Sequence, residues 1–251
     1  METNQEKFTN YELFVVTIFQ NATQKLLAAI ELSSTRYSYN EAFFLAIIAQ
    51  EELAKLIILP IANELDTLEN VLTNRQGAFY KHPVKQKIFT NFGLQNRSHQ
   101  DIEKLKQGYL YVGSSEQGKP EFSIAKPDQV RAEIKHTCLF MVNQFSNIIE
   151  EKDFSKLTKK GATYFMEIVK SAISERMSEV DMSIKDDSKE ISDLEQTDKE
   201  RMIMNRLIMN PYQLIRMLKA VFKEDYKEHL SNLGYYSIET FEDYLAKIEL
   251  D

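Results

Sequence analysis

The densest run of apolar positions lies at 41–59, EAFFLAIIAQEELAKLIIL. It is apolar on nearly every side of a helix, which predicts an element at the centre of a bundle rather than on its surface. Ser38 and Glu41 have the S-x-x-E spacing of a capping box ahead of it. Pro60 is expected to end this helix, or to kink it near Ile57. The pattern has one interruption. Glu51, Glu52 and Lys55 sit mid-helix, where charges are costly unless paired. Either the helix turns this triplet outward, or the bundle keeps a polar pocket for it. Glu51 and Lys55 have the i,i+4 spacing of an ordinary surface pair. Glu52 lies about 100° further round and is expected to meet a basic or amide group from segment 75–87.

The remaining pattern predicts helices on both sides. Residues 10–35 carry Leu13, Ile18, Leu26, Leu27 and Ile30 at three- and four-residue spacings. Residues 64–82 open on Leu65, Leu68, Val71 and Leu72 and are then broken by Asn74-Arg75-Gln76-Gly77. Residues 83–107 read as one helix, with Pro83 at its first position and Gly108 just past its end. Its apolar positions are Val84, Ile88, Phe89, Phe92, Ile102 and Leu105. Segment 109–124, YLYVGSSEQGKPEFSI, changes period and reads as a small hairpin or ordered loop. Helices follow at 128–151 and at 155–177, the latter with Ser155 as N-cap. An apolar and basic stretch, 201–230, is interrupted by Asn210-Pro211, and a last helix is expected at 237–249 behind Ser237. No internal repeat is visible.

Composition agrees with helices. The 251 residues include only 7 Gly and 5 Pro, which favours helix over sheet. The organisation expected is a helical domain over 1–152 and a C-terminal helical extension over 153–251 packed on the same bundle. Segment 178–200 holds nine acidic residues against three lysines, as a solvated linker would. It accounts for most of the net charge of −7, which does not suit a bulk nucleic-acid binder. The single cysteine, Cys138, excludes an internal disulfide and fits a reducing compartment. The start, METNQEKFTNYE, is polar and has no signal-peptide core. No unbroken apolar run reaches the roughly 18 residues of a membrane span. A cytoplasmic protein without a membrane partner is expected.

Candidate chemistry concentrates in RQGAFYKH, Arg75 to His82. An arginine can hold a phosphate bidentately, and a histidine can take or give a proton near neutral pH. Together they can bind an RNA phosphate and activate the neighbouring 2′-hydroxyl with no metal. By spacing alone, the pair reads first as a surface arginine and a capping histidine. From Arg75 to Lys106 seven basic residues stand against Asp101 and Glu103, net +5, among Phe79, Tyr80, Phe89 and Phe92. Such a face attracts polyanions, and an ordinary solvated helix face has the same look. Glu133 and His136 form Glu-x-x-His, half of a di-iron pattern. The other histidines have Phe79, Asn96 and Tyr226 three positions back, so the second half is missing. No metal or cofactor is expected. Cys138, in an apolar run, reads as core.

In order along the chain, EELAK at 51–55, KHPVK at 81–85, and GYLYV at 108–112 followed by Gly118 and Pro127 resemble the AbiV abortive-infection family, a branch of the HEPN superfamily. The resemblance covers about residues 12–150. It implies an all-α, up-and-down helical bundle and a role in phage defence. In HEPN ribonucleases an R-x4–6-H motif from each of two subunits faces the other across a dimer and forms one RNA-cutting site. Arg75 and His82 match that motif here, although Gln76-Gly77 follows the arginine where the family continues a helix. Glu52, Lys55 and Lys85 match the family's other polar positions.

These readings combine into an expectation: an antiviral toxin that acts as a metal-independent ribonuclease on RNA, as a homodimer. His82 would be the base, and Arg75 and Lys85 would hold phosphate with Lys55 and Lys81 beside them. Glu52 would orient His82 or Lys55. The alternative is a non-catalytic bundle that binds a phage or host protein, and a third reading is a plain helical scaffold.

Overall fold

The computed structural model of the protein describes residues 9–35, 37–89, 99–110, 113–114, 120–121, 123–176 and 210–233. It is an all-α helical bundle. Its helices are α1 (Asn10–Ser33), α2 (Tyr39–Glu64), α3 (Leu68–Thr73), α4 (His82–Phe89), α5 (His99–Leu110), α6 (Pro127–Glu150), α7 (Lys156–Arg176), α8 (Pro211–Phe222) and α9 (Tyr226–Leu233). Between α5 and α6, Gly113–Ser114 pairs antiparallel with Pro120–Glu121. This is the small hairpin expected in 109–124. Tyr109 and Leu110 belong to the end of α5 rather than to a strand.

The middle of the bundle is α2, which packs against α1, α4, α5, α6 and α8. Ala42, Phe43, Ile47, Leu53, Ala54, Ile58 and Leu59 are all at 0% exposure. The apolar-all-round pattern therefore does mark the central helix, although Phe44 and Ile48 are only partly buried. Two local expectations change. Pro60 stays inside α2, which continues to Glu64. The helix also starts at Tyr39 without a side-chain cap from Ser38. The capping box instead forms at Thr9 and Glu12, where each side chain bonds the other's backbone N–H at the head of α1.

α1 presents Val15, Phe19, Ala22, Leu26 and Ala29 to the core, while Leu13 is 52% exposed. By length and composition alone α1 could cross a membrane, because its Thr, Gln and Asn residues interrupt the apolar run without adding charge. Its apolar positions are instead core positions of the bundle. Glu12, buried, ties α1 to α7 by accepting from the Ser155 N–H (2.7 Å) and the Thr158 hydroxyl (2.9 Å). Burial alone would raise its pKa, but these donors and the Thr9 amide hold it at about 2. At the same end, Lys219 of α8 meets Glu64 of α2 (2.7 Å) and Tyr212 meets Tyr11 (2.9 Å). Cys138 is buried, which raises its thiol to about 12.

The expected helix over 83–107 is two helices, α4 and α5, and position 92 lies outside the described residues. So do the acidic segment 178–200 and the expected helix 237–249.

Candidate active site

Two buried polar contacts fix how α2 is rotated. Gln50 donates to the Glu133 carboxylate (3.0 Å) and to the Thr137 hydroxyl (3.1 Å), both on α6. Asn40 clamps the chain after α5 by donating to the Tyr109 and Ser123 carbonyls and accepting from the Ala125 N–H (2.7 Å). With α2 held this way, Glu51 turns toward α4 and α5, and Glu52 turns toward α1.

Glu51 is the centre of the site. It is 1% exposed. Its Oε1 accepts from Gln86 Nε2 (2.7 Å) and Lys106 Nζ (3.2 Å). Its Oε2 meets His82 Nδ1, and Lys85 Nζ lies 4.0 Å away. A buried carboxylate without such partners would be prohibitively costly. Glu103 closes the network by accepting from Lys106 (3.1 Å) and Gln86 (2.9 Å). Lys85 and Lys106, which the charge pattern offered as part of a solvated face, are both buried. Burial first, then the neighbouring Lys55 ammonium, pushes the Lys85 pKa down against the pull of Glu51 and Glu52.

His82 sits differently from the rest. It opens α4 beside Pro83, and 55% of its side chain is exposed. An ionised carboxylate only accepts, so His82 Nδ1 carries the hydrogen toward Glu51. In the neutral ring Nε2 keeps its lone pair, and the ring's orientation is fixed from behind. An exposed imidazole backed by a buried carboxylate is a working arrangement for a general base.

The expectation for Glu52 is corrected. Its carboxylate does not meet segment 75–87. It accepts from Asn21 of α1 (2.8 Å) and from Lys55 of its own helix (2.8 Å). Burial opposes its ionisation, but the bond from Lys55 and the Lys55 charge outweigh burial and keep its pKa below the usual range. The neighbour that grips His82 is Glu51, and Lys55 pairs with Glu52 rather than with Glu51. The ammonium of Lys55 also lies 4.9 Å above the Phe79 ring. Arg75 and Lys81 are exposed on the 74–81 turn, and neither side chain has a hydrogen bond or ion pair among the described residues. Gly77 belongs to that turn, its N–H bonded to the Asn74 carbonyl (2.8 Å). The turn, not a helix, therefore carries Arg75.

Gln86 and Lys106 were not legible as site residues one at a time. A signal did exist: on a helix, His82, Lys85 and Gln86 stand at i, i+3 and i+4 and share a face. Among the described residues, no three His, Cys, Asp or Glu side chains gather as metal ligands would. Compared with protein-family models, curated proteins and solved structures, the chain matches none.

Proposed function

We propose that this chain is an anti-phage abortive-infection protein of the AbiV and HEPN type, and that it cuts RNA without a metal through the Glu51–His82 pair. The observation that carries the reading is the exposed His82 ring anchored by Nδ1 on a buried carboxylate. In this reading His82 Nε2 takes the proton of a ribose 2′-hydroxyl. The O2′ attacks the adjacent phosphorus, the bond from phosphorus to O5′ breaks, and the O5′ leaves with a proton from solvent. The products are a 2′,3′-cyclic phosphate and a free 5′-hydroxyl. Glu51 stabilises the imidazolium as it forms. Arg75 and Lys81, exposed and unengaged, supply cations to the phosphates. Lys85 lies behind them on α4, and Lys55, paired with Glu52, stands beside the same turn over Phe79. A homodimer would set two such pairs on one cleft, as the family resemblance implies.

The test incubates purified wild-type and His82→Ala protein with total RNA, with and without chelator. Wild-type should cut in both conditions and leave cyclic phosphate ends, and the variant should be slower by roughly 10²–10⁴. If neither protein cuts RNA while His82→Ala still abolishes toxicity in cells, the second reading takes over. That reading is a bundle acting on a phage or host protein, and the exposure of Leu13, Phe14 and Tyr164 favours it.

A further inference from the structure

Glu51 and Glu52 are consecutive, so whatever Glu52 faces lies on the next side of the same turn of α2. It faces a groove of about 440 Å³ between α1 and the 74–81 turn. The lining has two chemistries. Phe14, 38% exposed, supplies the aromatic surface, while Phe79, 5% exposed under the Lys55 ammonium, closes the groove beside it. Gln20 and Gln24 supply exposed carboxamides that make no hydrogen bond among the described residues. The charges of Lys55 and Glu52 cancel in their 2.8 Å pair, so the groove itself is close to neutral. Uncancelled cations, Arg75 and Lys81, stand outside it on the turn that carries Phe79.

We infer that this groove is the subsite for one unpaired nucleobase of single-stranded RNA, next to the ribose whose 2′-hydroxyl His82 deprotonates; the inference rests on the ribonuclease reading above. A nucleobase is flat, neutral and edged with donors and acceptors. Aromatic side chains stack on its face. Carboxamides, which both donate and accept, pair with its edge. A free phosphate would instead need cations that are not already neutralised. An apolar peptide helix would gain little from a wall of glutamines. The arrangement also sorts the ligand: base into the neutral groove, phosphates onto Arg75 and Lys81, ribose hydroxyl toward His82. A duplex hides its base faces, so the substrate is single-stranded.

The test uses a short single-stranded oligoribonucleotide with every 2′-hydroxyl methylated, which blocks cleavage, and one 2-aminopurine as a fluorescent base. Phe14→Ala and Gln24→Ala change exposed side chains, and circular dichroism checks that both fold. Each should weaken binding about tenfold, within the range for losing one base contact. Oligomers made abasic at single positions should show one position where wild-type protein loses the same factor. At that position Phe14→Ala should cost nothing further. If wild-type binds and cuts RNA but the two variants bind like wild-type, or lose affinity equally at every abasic position, the subsite is wrong and the ribonuclease reading stands. If wild-type neither binds nor cuts RNA, both fall together. Loss of toxicity in Phe14→Ala under those conditions would make the groove a protein contact.

Discussion

Glu51 and His82 meet carboxylate to ring across the junction of α2 and α4, with Glu51 buried at 1% exposure and the His82 side chain 55% exposed. One end of the pair belongs to the core and the other to solvent. On the proposed reading, a change at Glu51 acts on both folding and chemistry, while a change at His82 acts chiefly on chemistry, since Gln86 and Lys106 still bond the carboxylate.

Removing the Glu51 carboxylate strands buried positive charge. Lys106 loses one of its two carboxylates, and Lys85 loses the one 4.0 Å from it. Glu51→Ala should cost about 3–5 kcal/mol of stability, the usual penalty for breaking a buried pair from one side. Glu51→Gln, which keeps shape and a hydrogen-bonding oxygen, should cost less. Urea denaturation of the two variants checks the order.

Lys85 carries the opposite expectation. Its folded-state pKa is lowered, chiefly by burial and next by the Lys55 charge. The unfolded chain keeps that proton to higher pH, so its contribution to stability rises as pH climbs toward the ordinary lysine value of 10.5 and then levels off. Lys85→Met should flatten this slope in a pH series of denaturation curves. At neutral pH it should be no less stable than wild-type, because burial disfavours the Lys85 charge, its Nζ stands 4.0 Å from Glu51, and Gln86 and Lys106 still bond that carboxylate. A variant that is clearly less stable at neutral pH would contradict this account of Lys85.

Glu12 tests the join between α1 and α7. Its pKa is about 2 in the folded state against an ordinary 4.5. Its contribution is therefore fully present above pH 4.5 and is lost as pH falls toward 2. At neutral pH it amounts to roughly 3 kcal/mol. Glu12→Gln should remove most of that difference, and the two proteins should converge as the pH approaches 2. Acid titration followed by circular dichroism reads both curves.

The core expectation is the simplest. Leu53 is fully buried on α2. Leu53→Ala should cost about 2–5 kcal/mol, measured by thermal or chemical unfolding.

What the sequence made legible follows from periodicity, and what it did not follows from rotation. The pattern at 41–59 singled out the central helix because burial on every side leaves no polar face to disguise. It did not say which of Glu51 and Glu52 faces α4. One residue is about 100°, and tertiary contacts such as those of Gln50 with α6 and of Asn40 with Tyr109, Ser123 and Ala125 set that angle. The same limit misplaced Lys55, read as a partner of Glu51. Spacing also misassigned a cap. S-x-x-E at Ser38 and T-x-x-E at Thr9 look alike in sequence, but only Thr9 holds the extended backbone that a cap needs. The basic segment read equally as a polyanion face or a solvated one because charge counts carry no direction, and two of its lysines turn inward onto one carboxylate.

The central claim is that Glu51 acts through His82. The most direct test compares single-turnover RNA cleavage by wild-type, Glu51→Gln, His82→Ala and the double variant, at a temperature where circular dichroism shows all four folded. The account predicts a partial loss for Glu51→Gln, a loss of roughly 10²–10⁴ for His82→Ala, and no further loss in the double variant, since a support has nothing to act on once the base is gone. Losses that multiply in the double variant, or Glu51→Gln protein that cuts as fast as wild-type, would contradict it.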